Sequence, residues 1–295
     1  MRLYEVSHTT SYRYSGPVAT CQNQLRLTPR STEHQQVLKH RLDITPKPAK
    51  ISPTTDFFGN QVSYFELNQP HDSLKIAMTA IVRVSHPAEP RIETQCWEEI
   101  VRETRLQATT KDELATLQYT LPSPMVPHCE DAKDLANELF THRRDMLEAV
   151  THLNHYLHRE FRYDPNATQI QTPLEDVFRM RRGVCQDLAH AMLACLRSIQ
   201  LPARYVSGYL RTYPPQDPEA LVGADASHAW VSVYMGQELG WVDFDPTNDL
   251  IVGGEHVTLA WGRDFRDVTP VNGLYLGAEQ LSLDVAVQVK PIDSI

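Results

Sequence analysis

The sequence lacks any excess of positive charge. Its 28 Lys and Arg residues are outnumbered by 37 Asp and Glu residues, for a formal net charge of −9. Phosphate backbones select for basic surfaces, so this balance argues against nucleic acid as the main partner. Arg143, Arg144, Arg179, Arg181 and Arg182 are local exceptions. A solvated helix face or the rim of a site accounts for them. Cysteine is sparse: Cys21, Cys96, Cys129, Cys185 and Cys195 are odd in number and widely spaced. With no CxxC pair, neither a zinc ribbon nor a dithiol redox motif is visible. The first residues hold no apolar signal core. No apolar run is long enough to cross a bilayer. There is no internal repeat and no low-complexity tract. These absences lead to the expectation of a cytoplasmic globular protein, not bound to membrane, in which a free thiol persists.

What remains is length and patterning. The chain has 295 residues, enough for two ordinary domains. Residues 1–100 read as β-rich. Leu3–His8 and Thr10–Tyr14 alternate with period two, and short runs follow at 24–27, 39–44, 61–67 and 73–84. An antiparallel sandwich is expected there. A proline-rich, weakly patterned stretch covers 101–130, extending back towards residue 86, and reads as a linker. Helical periodicity begins near Asp131 and opens a second unit, 131–295. Its clearest element is a helix over 184–199, with Gly183 as N-cap and Gln186 at N3. Strands are expected at 203–210, 228–235, 240–245, 257–260 and 281–289. Helices first and an antiparallel sheet after them make the fold class α+β.

Chemistry concentrates in three places. Cys185 stands at the first turn of the helix, where the helix dipole and Arg181 and Arg182 favour a thiolate. His228 enters one strand. Asp245 leaves the next, before Pro246 and Thr247. A two-residue turn at Gly236-Gln237 pairs Met235 with Glu238 and His228 with Asp245; a register two residues away still leaves both on one face. The aspartate would then fix the imidazole tautomer. Each residue also has a plain structural role. Cysteine is often a small buried filler, and Cys195 is read so. A lone histidine is commonly a satisfied core residue, and Asp before Pro is a common turn residue. Asp243 shares the face of Asp245 and competes for its role. His152, His155 and His158 read as a solvated face, since no carboxylate or cysteine joins them at metal spacing. The run Asp243–Asp249 hints at a calcium loop but lacks its glycine and closing glutamate. His190 lies too far around the helix to serve Cys185. Tyr205, Tyr209 and Tyr213 read as a strand surface.

Taken together, Gly183-Val184-Cys185-Gln186-Asp187-Leu188-Ala189-His190, Leu201–Tyr209, Ala226-Ser227-His228-Ala229-Trp230-Val231 and Trp241-Val242-Asp243-Phe244-Asp245-Pro246-Thr247 resemble the motifs of the transglutaminase-like superfamily. His8–Val18 is similar to the β-rich N-terminal region of its bacterial two-domain members. The resemblance implies a papain-like core, with the cysteine helix packed on an antiparallel sheet. It implies acyl transfer through a thioester, with Cys185 as nucleophile, His228 as proton shuttle and Asp245 as its orienting carboxylate. The oxyanion would bind the backbone N–H of Cys185 and one further donor, for which Tyr163 is a candidate. No cofactor or metal is expected; calcium dependence belongs to animal members. The implied partners are a peptide or protein amide donor and an amine acceptor, or water in its place. A non-catalytic peptide-binding protein that retains the fold is the competing expectation.

Overall fold

The computed structural model describes residues 1–85, 94–106, 108, 110–213 and 226–294. Six strands come first: β1 (Arg2–Val18), β2 (Thr20–Leu25), β3 (Gln35–Thr45), β4 (Ile51–Thr55), β5 (Gln61–Leu67) and β6 (His71–Val84). Next are α1 (Trp97–Leu106), α2 (Lys111–Leu117), α3 (Glu130–Leu139), α4 (Met146–Glu160), β7 (Arg162–Tyr163), α5 (Leu174–Met180) and β8 (Arg182–Gly183). The cysteine helix α6 (Cys185–Ser198) leads into β9 (Ala203–Leu210), β10 (His228–Tyr234), β11 (Trp241–Asp245), β12 (Leu250–Ile251) and β13 (His256–Gly262). The short helix α7 (Phe265–Val268) precedes β14 (Val271–Leu276) and β15 (Leu281–Ile292). The α+β class holds, and the papain-like arrangement of helix on sheet with it.

Strict alternation builds the N-terminal sheets. From Leu74 on, the buried residues of β6 are Leu74, Ile76, Met78, Ala80, Val82 and Val84, every second position. Two four-stranded sheets result, ordered β15-β1-β6-β3 and β14-β2-β5-β4. The runs at 3–8 and 10–14 are one continuous strand.

Two boundaries differ from expectation. The last two strands leave the 131–295 unit: β15 pairs antiparallel with β1, from Leu3 opposite Ile292 to Tyr14 opposite Leu281, and β14 pairs with β2. Periodicity identifies a strand but not its partner, so this return is invisible in the sequence. The 101–130 stretch is partly helical. Within α2's start, Thr110 Oγ1 accepts the Glu113 N–H at 3.2 Å and Glu113 Oε2 accepts the Thr110 N–H at 2.9 Å. That capping box is readable as Thr-x-x-Glu. Residues 86–93 of the proline-rich stretch, and residues 107 and 109, lie outside the described residues.

The second sheet runs β12-β11-β10-β9-β13. Helix α6 lies against β9 and β10 and is covered from the other side by α3, α4 and α5. Every residue from Asp187 to Arg197 is therefore buried. Enclosure on all sides explains why the helix reads as mostly apolar rather than as a single stripe.

The N-terminal unit closes the outer edge of β13 with side-chain amides. Gln35 donates from Nε2 to Thr258 O and accepts the Thr258 N–H at Oε1, both at 2.8 Å. Asn60 does the same to Trp261, with Nδ2 to O at 2.9 Å and N to Oδ1 at 3.0 Å. Each amide imitates a neighbouring strand, so the edge has no free ladder there. Above it, the Arg30 guanidinium lies 3.6 Å from the Trp261 ring centroid, and Arg204 lies 3.8 Å from the same ring. Tyr209 and His8 add a buried hydrogen bond of 2.8 Å between the units. We expect Asn60→Leu to lower stability by about 1–3 kcal/mol, because it leaves the part-buried Trp261 N–H and C=O without their Asn60 partners. Urea unfolding monitored by far-UV circular dichroism measures this.

Candidate active site

The site begins where β8 becomes α6. β7 and β8 pair in parallel, with Tyr163 beside Gly183, and Asp164 N–H donates to Gly183 O at 2.9 Å. Val184 is extended and caps the helix, so Cys185 is its first residue. This corrects the expected cap at Gly183 and moves N3 from Gln186 to Asp187. The buried Asp187 carboxylate accepts the Val184 N–H at 2.8 Å and the Thr168 hydroxyl at 2.6 Å. Burial pushes its pKa up against the pull of those donors. Gly183 is needed for this approach: a Cβ there would stand 2.5 Å from Asp187 Oδ2. The result is a rigid helix start that leaves Cys185 partly exposed. As the first helical residue, its amide N–H has no intrahelical acceptor.

The cations expected to act on Cys185 are engaged with carboxylates. Arg181 pairs with Glu160 at 3.1 Å, and Arg182 stands 4.0 Å from Asp164. The dipole of α6 remains at the sulfur.

His228 and Asp245 meet, although not by the expected pairing. Val231 faces Phe244, Tyr234 faces Trp241, and Met235 N–H donates to Gly240 O. The turn is longer than two residues, with Gly236 at φ 93° and Gly240 at φ 63°. This register is two residues from the predicted one and keeps both side chains on one face. Asp245 thus lies diagonal to His228, within reach across the strands. His228 Nε2 donates to Asp245 Oδ2 at 2.8 Å, and both side chains are fully buried.

Burial pulls the His228 pKa down. The Asp245 carboxylate, and after it Cys185, override this and push it up to about 10. Burial likewise opposes the charged form of Asp245, but His228 and then His256 hold its pKa well below the usual carboxylate range. His228 Nδ1 is buried with no formed hydrogen bond, and Cys185 is near enough to act on the ring by charge and by hydrogen bonding. In unliganded sites such contacts are often long. His228 and Asp245 therefore come together, and Cys185 acts on the His228 ring from the head of α6.

The other candidates separate. Asp243 accepts the Trp230 indole N–H at 2.9 Å and takes no part at His228. His190 accepts the Phe265 N–H at 3.3 Å; burial holds its pKa down to about 4 despite Asp264. His152, His155 and His158 are exposed, as expected, and two of them also reach across to the turn after Asp245. His155 pairs with Asp249 at 2.6 Å, and His158 Nδ1 donates to Thr247 O at 3.0 Å. They tie α4 to the turn that follows Asp245. Two partners of Asp245 escaped the sequence reading. Asn248 Nδ2 donates to Oδ2 at 2.8 Å, and His256 Nε2 lies 3.1 Å from the same oxygen. Among the described residues, His228, Asp245 and His256 are the group whose atoms converge closely enough to invite a metal ion. The glycine of Ser207-Gly208-Tyr209 makes room for this assembly: a Cβ at Gly208 would stand 2.2 Å from the Trp230 ring and 2.3 Å from Val257 O.

Comparison with known proteins agrees with this architecture. Residues 4–83 match the bacterial transglutaminase-like N-terminal region, and residues 133–246 match the transglutaminase-like superfamily. An uncharacterized protein of Mycobacterium tuberculosis is 38% identical over 299 residues, spanning 98% of this chain and 93% of its own length. A protein-glutamine gamma-glutamyltransferase of Pseudomonas aeruginosa is 32% identical over 167 residues, which are 55% of this chain but 24% of that protein. A solved structure described as a candidate cysteine protease, from Cytophaga hutchinsonii, covers 100% of this chain and 92% of its own. Its TM-score is 0.74 at 20% identity, a likeness of fold. The chain belongs to the transglutaminase-like superfamily, in its bacterial two-domain form.

The pKa shifts fix a pH window for the buried pair. His228 is raised from 6.5, so its contribution to stability is complete below 6.5 and disappears as pH rises through about 10. Asp245 is lowered from 3.8, so its contribution is present above 3.8 and fades as pH falls below it. Asp245→Asn should therefore lower Tm most between about pH 4 and 6.5, with the deficit narrowing towards about pH 10. Thermal unfolding of both proteins across that range checks the sign.

Proposed function

We propose that the protein is a cysteine-dependent acyltransferase or hydrolase acting on peptide or protein amides. Cys185 Sγ attacks the amide carbonyl, and His228 delivers the thiol proton to the leaving amine. Asp245 orients His228 and stabilises the imidazolium. The tetrahedral oxyanion lies against the free N–H of Cys185 at the head of α6. An amine or water then attacks the thioester, takes over the acyl group and returns its proton through His228 to the cysteine. An amine acceptor gives transamidation and water gives hydrolysis. The observation that carries this reading is the buried 2.8 Å contact of His228 with Asp245 beside a partly exposed Cys185.

The gamma-glutamyltransferase relative supports a glutamine side-chain amide as donor. The protease-like neighbour shares the fold. No helix of the described residues is long and apolar enough to cross a membrane. All five cysteines are free, which suits a reducing compartment such as the cytoplasm.

Iodoacetamide tests the reading directly. Cys96 is the internal control, because it is partly exposed like Cys185 while Cys21, Cys129 and Cys195 are buried. Cys185 should react at least about tenfold faster than Cys96, and His228→Ala should remove that advantage. Equal rates at the two sites would instead mark a peptide-binding protein without catalysis. Mass spectrometry of an acyl-enzyme trapped from a peptide library, with and without added amine, identifies the donor and shows which acceptor prevails.

A further inference from the structure

Asp245 holds two histidines on one oxygen. His256 opens β13, and its Nε2 lies 3.1 Å from Asp245 Oδ2, which also binds His228 Nε2 at 2.8 Å. A carboxylate only accepts, so each Nε2 carries its proton. His256 Nδ1 is buried without a hydrogen-bond partner. The ring therefore meets its polar neighbours through Nε2 alone. Trp230 fixes the plane of that ring edge-on, with centroids 5.1 Å apart at 86°. Asp243 in turn holds the Trp230 indole.

A metal ion is the rival occupant of this cluster. Two ligands of one tetrahedral zinc, each at about 2.0 Å, stand about 3.3 Å apart. Oδ2 is closer than that to both nitrogens. The spacing is that of shared protons.

We propose that His256 is a positioning residue, donating the second imidazole hydrogen bond that keeps Asp245 ionised and aimed at His228. The proposal rests on the Cys185–His228–Asp245 reading above. A buried carboxylate needs donors to stay charged. Asn248 Nδ2 and the backbone N–H groups of Thr247 and Asn248 hold Asp245 from its own turn, and His256 is the donor, besides His228, that holds Oδ2 from another strand. The titratable groups facing the cluster are Asp245 from β11, His228 from β10 and, beyond His228, Cys185 from α6. The neighbouring Glu255 turns away to Arg2, Arg211 and Tyr213.

The test is the iodoacetamide rate at Cys185 across about pH 5 to 9. It compares the full-length protein with His256→Leu, His256→Gln and His228→Ala. Leucine fills space without donating, whereas glutamine carries an amide N–H. His256→Leu should slow Cys185 by about 10- to 100-fold near neutral pH, the worth of a hydrogen bond to a charged group. Its pH profile should move towards that of Cys96, and His256→Gln should recover most of the loss. Imidazole 15N NMR of the unmodified protein should show a proton on His256 Nε2, assigned by its disappearance in His256→Gln. A His256→Leu profile matching the unmodified protein, with His228→Ala slow, overturns the role of His256 alone. So does a His256 with its proton on Nδ1 and none on Nε2, even if the leucine variant does not fold. If His228→Ala leaves Cys185 as fast as before, the underlying reading falls as well.

Discussion

A single buried carboxylate organises this site. Asp245 has no exposed surface, and a charge so placed is costly unless hydrogen-bonded on every side. The fold supplies donors from three directions. His228 and His256 come from two strands, Asn248 from its own turn, and the backbone N–H groups of Thr247 and Asn248 close on Oδ1. The turn is itself tied to α4 through His155 and His158. The geometry at His228 is thus set by elements far apart in sequence.

The rest of the architecture serves that placement. Helix α6 is enclosed by the sheet and by α3, α4 and α5, so the position of Cys185 follows from a packed core rather than a loop. Asp187 and Gly183 fix the first turn. On the far side, Gln35 and Asn60 of the N-terminal unit replace a missing strand beside β13, the strand that carries His256. The N-terminal unit therefore supports the site indirectly, by completing the sheet on which one of its histidines sits.

Local signals were legible in the sequence and long-range ones were not. The helix expected over 184–199 forms over Cys185–Ser198, and the strand expected at 203–210 forms over those residues. The shared face of His228 and Asp245 survived an error of two residues in register, because the side-chain period is two. His256 was missed for the opposite reason. It reaches Asp245 past the ends of β9 and β10, at the place where Gly208 makes room, and no spacing along the chain encodes that. His155 and His158 are exposed as read, but their partners, Asp249 and Thr247, lie roughly ninety residues away and were not legible. The cap was misplaced by one residue because Asp187, and not a serine or threonine, closes the helix start.

The pairing of β1 with β15 also governs how the chain is made. The opening strand finds one of its two neighbours only among residues 281–292, and β2 waits in the same way for β14. During synthesis both early sheets stand with a naked flank while some two hundred further residues emerge. Contacts of such separation are slow to form and leave strand borders open to wrong partners meanwhile. Nascent chains stalled before residue 271 would be the aggregation-prone form of this molecule.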